Sequence, residues 1–169
     1  FRLGYTTTNS LSISGNNDRG SVRASLTHMK NNWILPNTGF QRVTATLSGQ
    51  QQVSRLLSLN YRTTYTWRKS DNLPSVGYSS NSIAYFLIFQ NPSIDLDWYR
   101  TMWIKGEENV TQSQPFSKNI GNPFLTLYEC VNPTEKHSNI SMLSANLKLN
   151  NHFDFMIRSA FQMENDIRA

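Results

Sequence analysis

The sequence predicts an all-β fold: an antiparallel transmembrane β-barrel segment of about six strands, with a long, partly helical extracellular loop. Three observations predict it. Apolar and polar residues alternate with period 2 in six runs, the runs are longer than ordinary soluble strands, and short connections alternate with long ones.

The first run, near 5–15, sets Tyr5, Leu11 and Ile13 against Ser10, Ser12 and Ser14. Near 20–30, Val22, Ala24 and Leu26 oppose Ser21, Arg23, Ser25 and Thr27. Near 41–49, Val43, Ala45 and Leu47 oppose Arg42, Thr44, Thr46 and Ser48. Near 55–67, Leu57, Leu59, Tyr61 and Tyr65 oppose Ser58, Asn60, Arg62, Thr64 and Thr66. Near 139–149, Leu143, Ala145, Leu147 and Leu149 oppose Ser144, Asn146 and Lys148. Near 153–163, Phe153, Phe155, Ile157 and Phe161 oppose Asp154, Arg158 and Gln162.

Alternation alone fits a soluble sandwich equally well, because both architectures have one wet and one dry face. Most runs last about 9–13 residues; soluble strands peak near ~5–6, and tilted membrane strands need roughly 9–11. The connectors decide further. Residues 15–19, 49–54 and 150–152 read as tight turns, 31–40 as a longer loop and 68–138 as a very long excursion. Outer-membrane barrels keep short turns at one end and long loops at the other. Tyr65 and Trp67 beside the long loop, and Phe153 and Phe155 beside a tight turn, stand where interfacial aromatic girdles belong.

Composition narrows the partners. Only 38% of residues are hydrophobic and 16% charged, and no run is long and apolar enough for a membrane helix. The net charge of +5 comes from cations spread singly, which argues against nucleic acid. Cys130 is the single cysteine, so an intrachain disulfide or CxxC site is excluded, and a half-buried packing role is expected.

Within 68–138, Asn81 is a candidate cap for an apolar helix through Phe89 that Pro92 ends, and Asn122-Pro123 opens a second helix. Between them, Trp98, Tyr99 and Trp103 lie within nine residues and are the candidate ligand or lid contacts; a folded cap with its own small core is the favoured explanation of their density. On the polar parity Arg23, Arg42, Arg62, Lys148 and Arg158 outweigh Asp154, so the corresponding wall is expected to be basic, suited to an acidic plug surface or an anionic substrate.

No catalytic constellation emerges, no cofactor is expected, and a non-enzymatic protein follows. His28, His137 and His152 are isolated, without metal-binding spacing. Asp95 with Asp97, or Glu107 with Glu108, could pose as a glycosidase pair, and the two aspartates as calcium ligands; solvated loop carboxylates are the default. Asn109-Val110-Thr111 and Asn139-Ile140-Ser141 match the glycosylation pattern, which would be unmodified in a bacterial outer membrane.

Several stretches carry a resemblance. Residues 68–81, from Arg68 through Leu73-Pro74 and Gly77-Tyr78 to Asn81, resemble the loop after a barrel strand in SusC/RagA-like TonB-dependent transporters. Ile13-Ser14-Gly15-Asn16, Arg23-Ala24-Ser25-Leu26-Thr27 and Ile34-Leu35-Pro36-Asn37-Thr38 are similar to that family's early hairpin. Asn122-Pro123-Phe124, Tyr128-Glu129 and Ala145-Asn146-Leu147-Lys148-Leu149 continue in the family's order. The resemblance implies a Gram-negative outer-membrane importer of oligosaccharides or peptides, filled by a plug domain, energised through TonB and lidded by a SusD-like lipoprotein. Neither plug nor TonB-contacting segment is recognisable within 1–169, and the chain starts at Phe1 without a signal, so a partial barrel domain is expected. The alternative is a secreted β-sandwich that stacks carbohydrate on the aromatic loop.

Overall fold

A computed structural model describes residues 2–78, 82–150 and 152–168. It contains one six-stranded antiparallel sheet in which every strand pairs with its neighbours in sequence, in the order β1 to β6. The strands are β1 Tyr5–Asn17, β2 Gly20–Asn32, β3 Gly39–Gln52, β4 Leu57–Asn72, β5 Thr134–Lys148 and β6 Asp154–Arg168. The sheet is open, with β1 and β6 as its edges.

All six predicted runs become strands, but most are longer than predicted. β4 runs on to Asn72, β5 begins at Thr134 and not near 139, and β6 ends at Arg168 and not near 163. The added residues include Lys69, Asp71 and Glu135, charges on the apolar parity that break the hydrophobic alternation without breaking the ladder, and Lys136, Glu164 and Asp166 on the polar parity. The loop expected over 31–40 contracts to 33–38 for the same reason, and the long excursion to 73–133.

The tight turns are closed by short polar side chains. Asn17 Oδ1 accepts from the Arg19 N–H at 2.9 Å; Ser54 Oγ accepts from Leu56 and Leu57 at 3.2 and 3.1 Å; Asn150 Oδ1 accepts from His152 and Phe153 at 2.8 and 2.9 Å. Such side-chain turns replace backbone pairing where the chain reverses. All three lie at one end of the sheet, while 33–38 and 73–133 share the other.

Register joins the six parities into two continuous faces. The row Leu11, Leu26, Ala45, Tyr65, Asn139, Met163 lies on one face, and the next row, Ser12, Ser25, Thr46, Thr64, Ile140, Gln162, on the other. On the first face Gly49 lets the Tyr61 ring lie across it: a Cβ there would come within 2.6 Å of the phenol oxygen.

The long loop folds into a small cap. Helix α1 (Ile83–Phe89), a 3₁₀ turn (Leu96–Arg100) and helix α2 (Pro123–Tyr128) enclose Ile83, Phe86, Tyr99, Leu125 and Leu127, the only buried hydrophobic side chains among the described residues. The proposed cap of α1, Asn81, lies outside the described residues; the N-cap is Ser82, without a side-chain capping bond. α2 starts as predicted, with Pro123 in its first turn and Asn122 Oδ1 accepting from Phe124 and Leu125.

Candidate functional site

The site is the sheet itself, read as two surfaces, and the rim where its long connections meet. On the apolar face the rows from Leu57, Leu147 and Phe155 at the turn end up to Val43, Trp67 and His137 hold no Asp, Glu, Lys or Arg. Its side chains are uncovered: Leu11 is 66% exposed, Ile13 70%, Phe161 61% and Ile157 57%. Contiguous exposed apolar surface of this kind marks a contact surface, for protein or for membrane. Some of the polar groups within the band satisfy one another. Thr63 Oγ1 and Ser141 Oγ are 2.7 Å apart, and Ser141 Oγ donates to Asn139 Oδ1 at 2.9 Å. Such pairing offsets the cost of taking hydroxyls and amides out of water.

At the rim of this face the Trp67 indole donates to Glu135 Oε1 at 2.7 Å, and the Tyr65 hydroxyl meets His137 Nδ1 at 2.7 Å. His137 Nε2 is 3.4 Å from the same Glu135 oxygen. Each aromatic thus keeps its ring on the apolar band and turns its polar tip toward the long connections.

The polar face carries Arg23, Arg42, Arg62, Lys148 and Arg158 together, as their shared parity predicts. Arg23, Ser48 and Arg62 form one row; with Ser14, Asn16 and Asn60 they line a recess of about 620 Å3. A second row reads Arg42, Arg68, Lys136, Asp166. Sequence reasoning missed Arg68 and Lys136 because it ended β4 at 67 and began β5 at 139. It missed Glu164 and Asp166 similarly, so Asp154 is not the only acid on this face, although all three acids sit on β6.

Lys136 pairs with Glu164 at 2.6 Å. Among the described residues, Arg23, Arg42, Arg62, Arg68 and Arg158 have no carboxylate partner. Arg68 instead lies 4.6 Å over the Phe40 ring, and Arg42 Nη2 reaches Met29 Sδ at 3.5 Å.

The three aromatic candidates of the loop separate. Trp98 is 58% exposed and Trp103 half-buried, bridging to Gln112, but Tyr99 is 2% exposed and packs edge-on against Phe86 at 5.2 Å. Burial also raises the Tyr99 phenol above its ordinary value. Tyr99 is therefore a core residue of the cap, and Trp98 is the open contact of the three. A second aromatic group, which sequence reasoning did not single out, joins Tyr78, Tyr85 and Phe89 at centroid separations of 5.1, 5.5 and 4.6 Å.

Three of the four candidate loop carboxylates, Asp95, Asp97 and Glu108, have structural partners. Asp95 Oδ1 caps the 3₁₀ turn through the Asp97 N–H at 2.9 Å, and Asp97 pairs with Arg100 at 2.7 Å, which raises the guanidinium further. Glu108 accepts from the Gly106 N–H, which lowers its carboxyl below the usual range. Among the described residues no three His, Cys, Asp or Glu side chains gather as a metal site. Cys130, expected half-buried, is exposed just beyond α2.

The cap is bolted to the rim through one carbonyl. Leu127 O, near the end of α2 where helix carbonyls lack helical partners, accepts from Asn37 Nδ2 at 2.8 Å and Asn72 Nδ2 at 3.1 Å. Asn132 closes the neck, donating from its N–H to Asn72 Oδ1 at 3.1 Å and from Nδ2 to Leu73 O at 3.1 Å. No protein-family model matches the chain, and comparison with curated proteins gives no match.

Proposed function

We propose that this chain forms part of the wall and outer loops of an outer-membrane, TonB-dependent importer of the SusC/RagA type, taking up oligosaccharides or peptides beneath a SusD-like surface lipoprotein. The observation that carries the membrane part is the uncovered apolar face, charge-free from the Leu57 row to the Trp67 row and backed by a polar one. From Leu57 to Trp67 the strand runs about 34 Å at ~3.4 Å per residue, or about 26 Å across a bilayer at a tilt of ~40°, close to the ~25 Å apolar band of such barrels. A water-soluble sandwich would need a second layer on that face, and among the described residues none covers it.

The unpaired β1 and β6 support the same assignment. β1 is uncharged over Tyr5–Asn17 and has no proline, so it lacks the devices that keep solvent-exposed edges from pairing. In a closed barrel both edges continue into further strands. The polar face then lines the lumen, where its unpartnered arginines meet acidic groups of the plug. The folded cap stands at the outer mouth, with Trp98 toward lid or nutrient. Transport through a filled lumen requires no chemistry from this chain, and none of its residues is assigned a catalytic role. The family assignment itself is supported by the sequence stretches at 13–38, 68–81 and 122–149.

The test is fractionation of the native full-length protein. Recovery in the detergent-solubilised outer membrane with a co-purifying lipoprotein, and nutrient uptake that stops when TonB is deleted, is the expected result. Recovery as a soluble protein would overturn it.

A further inference from the structure

We propose that Arg2, Lys30 and Lys69 form a site for the phosphate group of a membrane lipid on the outward corner of the rim; the inference rests on the membrane assignment above. On the apolar face the charged side chains are Lys30, Lys69, Asp71 and Glu135, and all lie beyond the Trp67 row, at the long-connection end. Lys30 and Lys69 share one row through Gln41, one pleat repeat, about 7 Å, past Trp67. With the Trp67 ring at the hydrocarbon boundary, that row stands at headgroup depth.

Arg2, Lys30 and Lys69 also line a single recess of about 330 Å3, in which Asp71 is the one acid. Asp71 Oδ1 is 3.9 Å from Lys69 Nζ, and both groups are well exposed, so the pair neutralises one cation weakly. Glu135 stands directly across from Lys69 in the ladder and offsets it further, but it accepts from the Trp67 indole, does not line the recess and leaves Lys30 uncompensated. Arg2 is held in place by carbonyls, its Nε donating to Trp33 O at 3.3 Å and its Nη2 to Thr38 O at 3.2 Å, which orders the guanidinium without neutralising it. Lys30 has no carboxylate partner among the described residues. Lys30, uncompensated directly above an uncharged apolar band, with Lys69 in its row and the ordered Arg2 lining the same recess, matches an anionic headgroup whose acyl chains lie on that band. A free anion would use only half of this arrangement.

The native full-length protein, purified from membranes in non-ionic detergent, is analysed by native mass spectrometry with added phosphorylated lipid. Wild type is expected to retain the lipid. The double variant Lys30→Gln/Lys69→Gln is expected to retain about tenfold less, and Arg2→Gln to show a smaller loss in the same direction. Lys118→Gln, which removes a loop cation that does not line the recess, is expected to behave as wild type. Equal retention by the double variant would overturn the site while leaving the membrane assignment intact. Binding of inorganic phosphate that competes fully with the lipid would overturn the lipid as occupant. Recovery of the protein from the soluble fraction would remove the membrane assignment itself.

Discussion

Asn122 shows how much one side chain holds at the smallest scale. It is fully buried. Its Nδ2 donates to Tyr99 O at 2.9 Å and Ser113 O at 2.8 Å, while its Oδ1 caps α2. Asn122→Ala leaves these buried groups unpaired, at about 1–3 kcal/mol each. The cap is therefore expected to lose protection: hydrogen exchange should accelerate across 95–130 while the strands keep theirs. Unchanged exchange there would show that Asn122 is not the hub. Trp98 and Tyr99, adjacent in sequence, make a second comparison. On the proposed function Trp98→Ala is expected to weaken binding of lid or nutrient with the cap intact, whereas Tyr99→Ala empties the core against Phe86 and exposes the cap to proteolysis, a cost of about 3–5 kcal/mol for a buried aromatic. Proteolysis and binding assays on the two variants check this. Equal effects would contradict the separation of an open contact from a core residue.

Strands and helices can be tested through the tether at Leu127 O. Asn37→Ala with Asn72→Ala removes both donors, and the expected outcome is a cap that swings free of the rim. A fluorescent label at Cys130, just past α2, should gain rotational freedom on the nanosecond scale while the sheet is unchanged. A label that stays rigid would place the attachment elsewhere. At this scale the sequence reveals much of the fold. Period 2 located all six strands because each carries apolar residues at alternate positions over part of its length, with Thr63, Asn139, Ser141 and Ser159 as polar interruptions on the same face. The strand ends were harder to read for a physical reason: Lys69 and Glu135 put charge on the apolar parity of β4 and β5, and Asn165 interrupts it in β6, although the ladder continues to Thr134 and Arg168. The Asn122-Pro123 start of α2 was legible because capping chemistry is local. The burial of Tyr99, the Tyr78–Tyr85–Phe89 group and the joining of Asn37 to Leu127 depend on contacts across many residues, and no local pattern encodes them.

For the whole molecule the decisive property is that the sheet has two unlike surfaces, which the proposed assignment sets between two media. Leu47 and Thr46 are neighbours in β3 on opposite faces, both away from the rims. Leu47 shares its row with Ile13, Ala24, Thr63 and Phe161, within the uncharged band. On the proposed membrane assignment arginine there enters hydrocarbon, so Leu47→Arg is expected to destabilise the folded protein in bilayers by about 2–4 kcal/mol, the midplane cost in a membrane barrel. Thr46→Arg places the same group on the polar face and should cost well under 1 kcal/mol, the ordinary range for a surface change. Denaturant titration of the full-length protein in lipid vesicles measures both. A buried sandwich core would also penalise Leu47→Arg, so a second measurement separates the media. A cysteine at position 47, in a Cys130→Ser background, should resist a water-soluble maleimide yet crosslink to a photoactivatable acyl chain in the same vesicles, while one at 46 should show the reverse. Crosslinking to acyl chains at neither position would mean that the apolar face is covered by protein, and the wall assignment would fall while the six-stranded sheet stood.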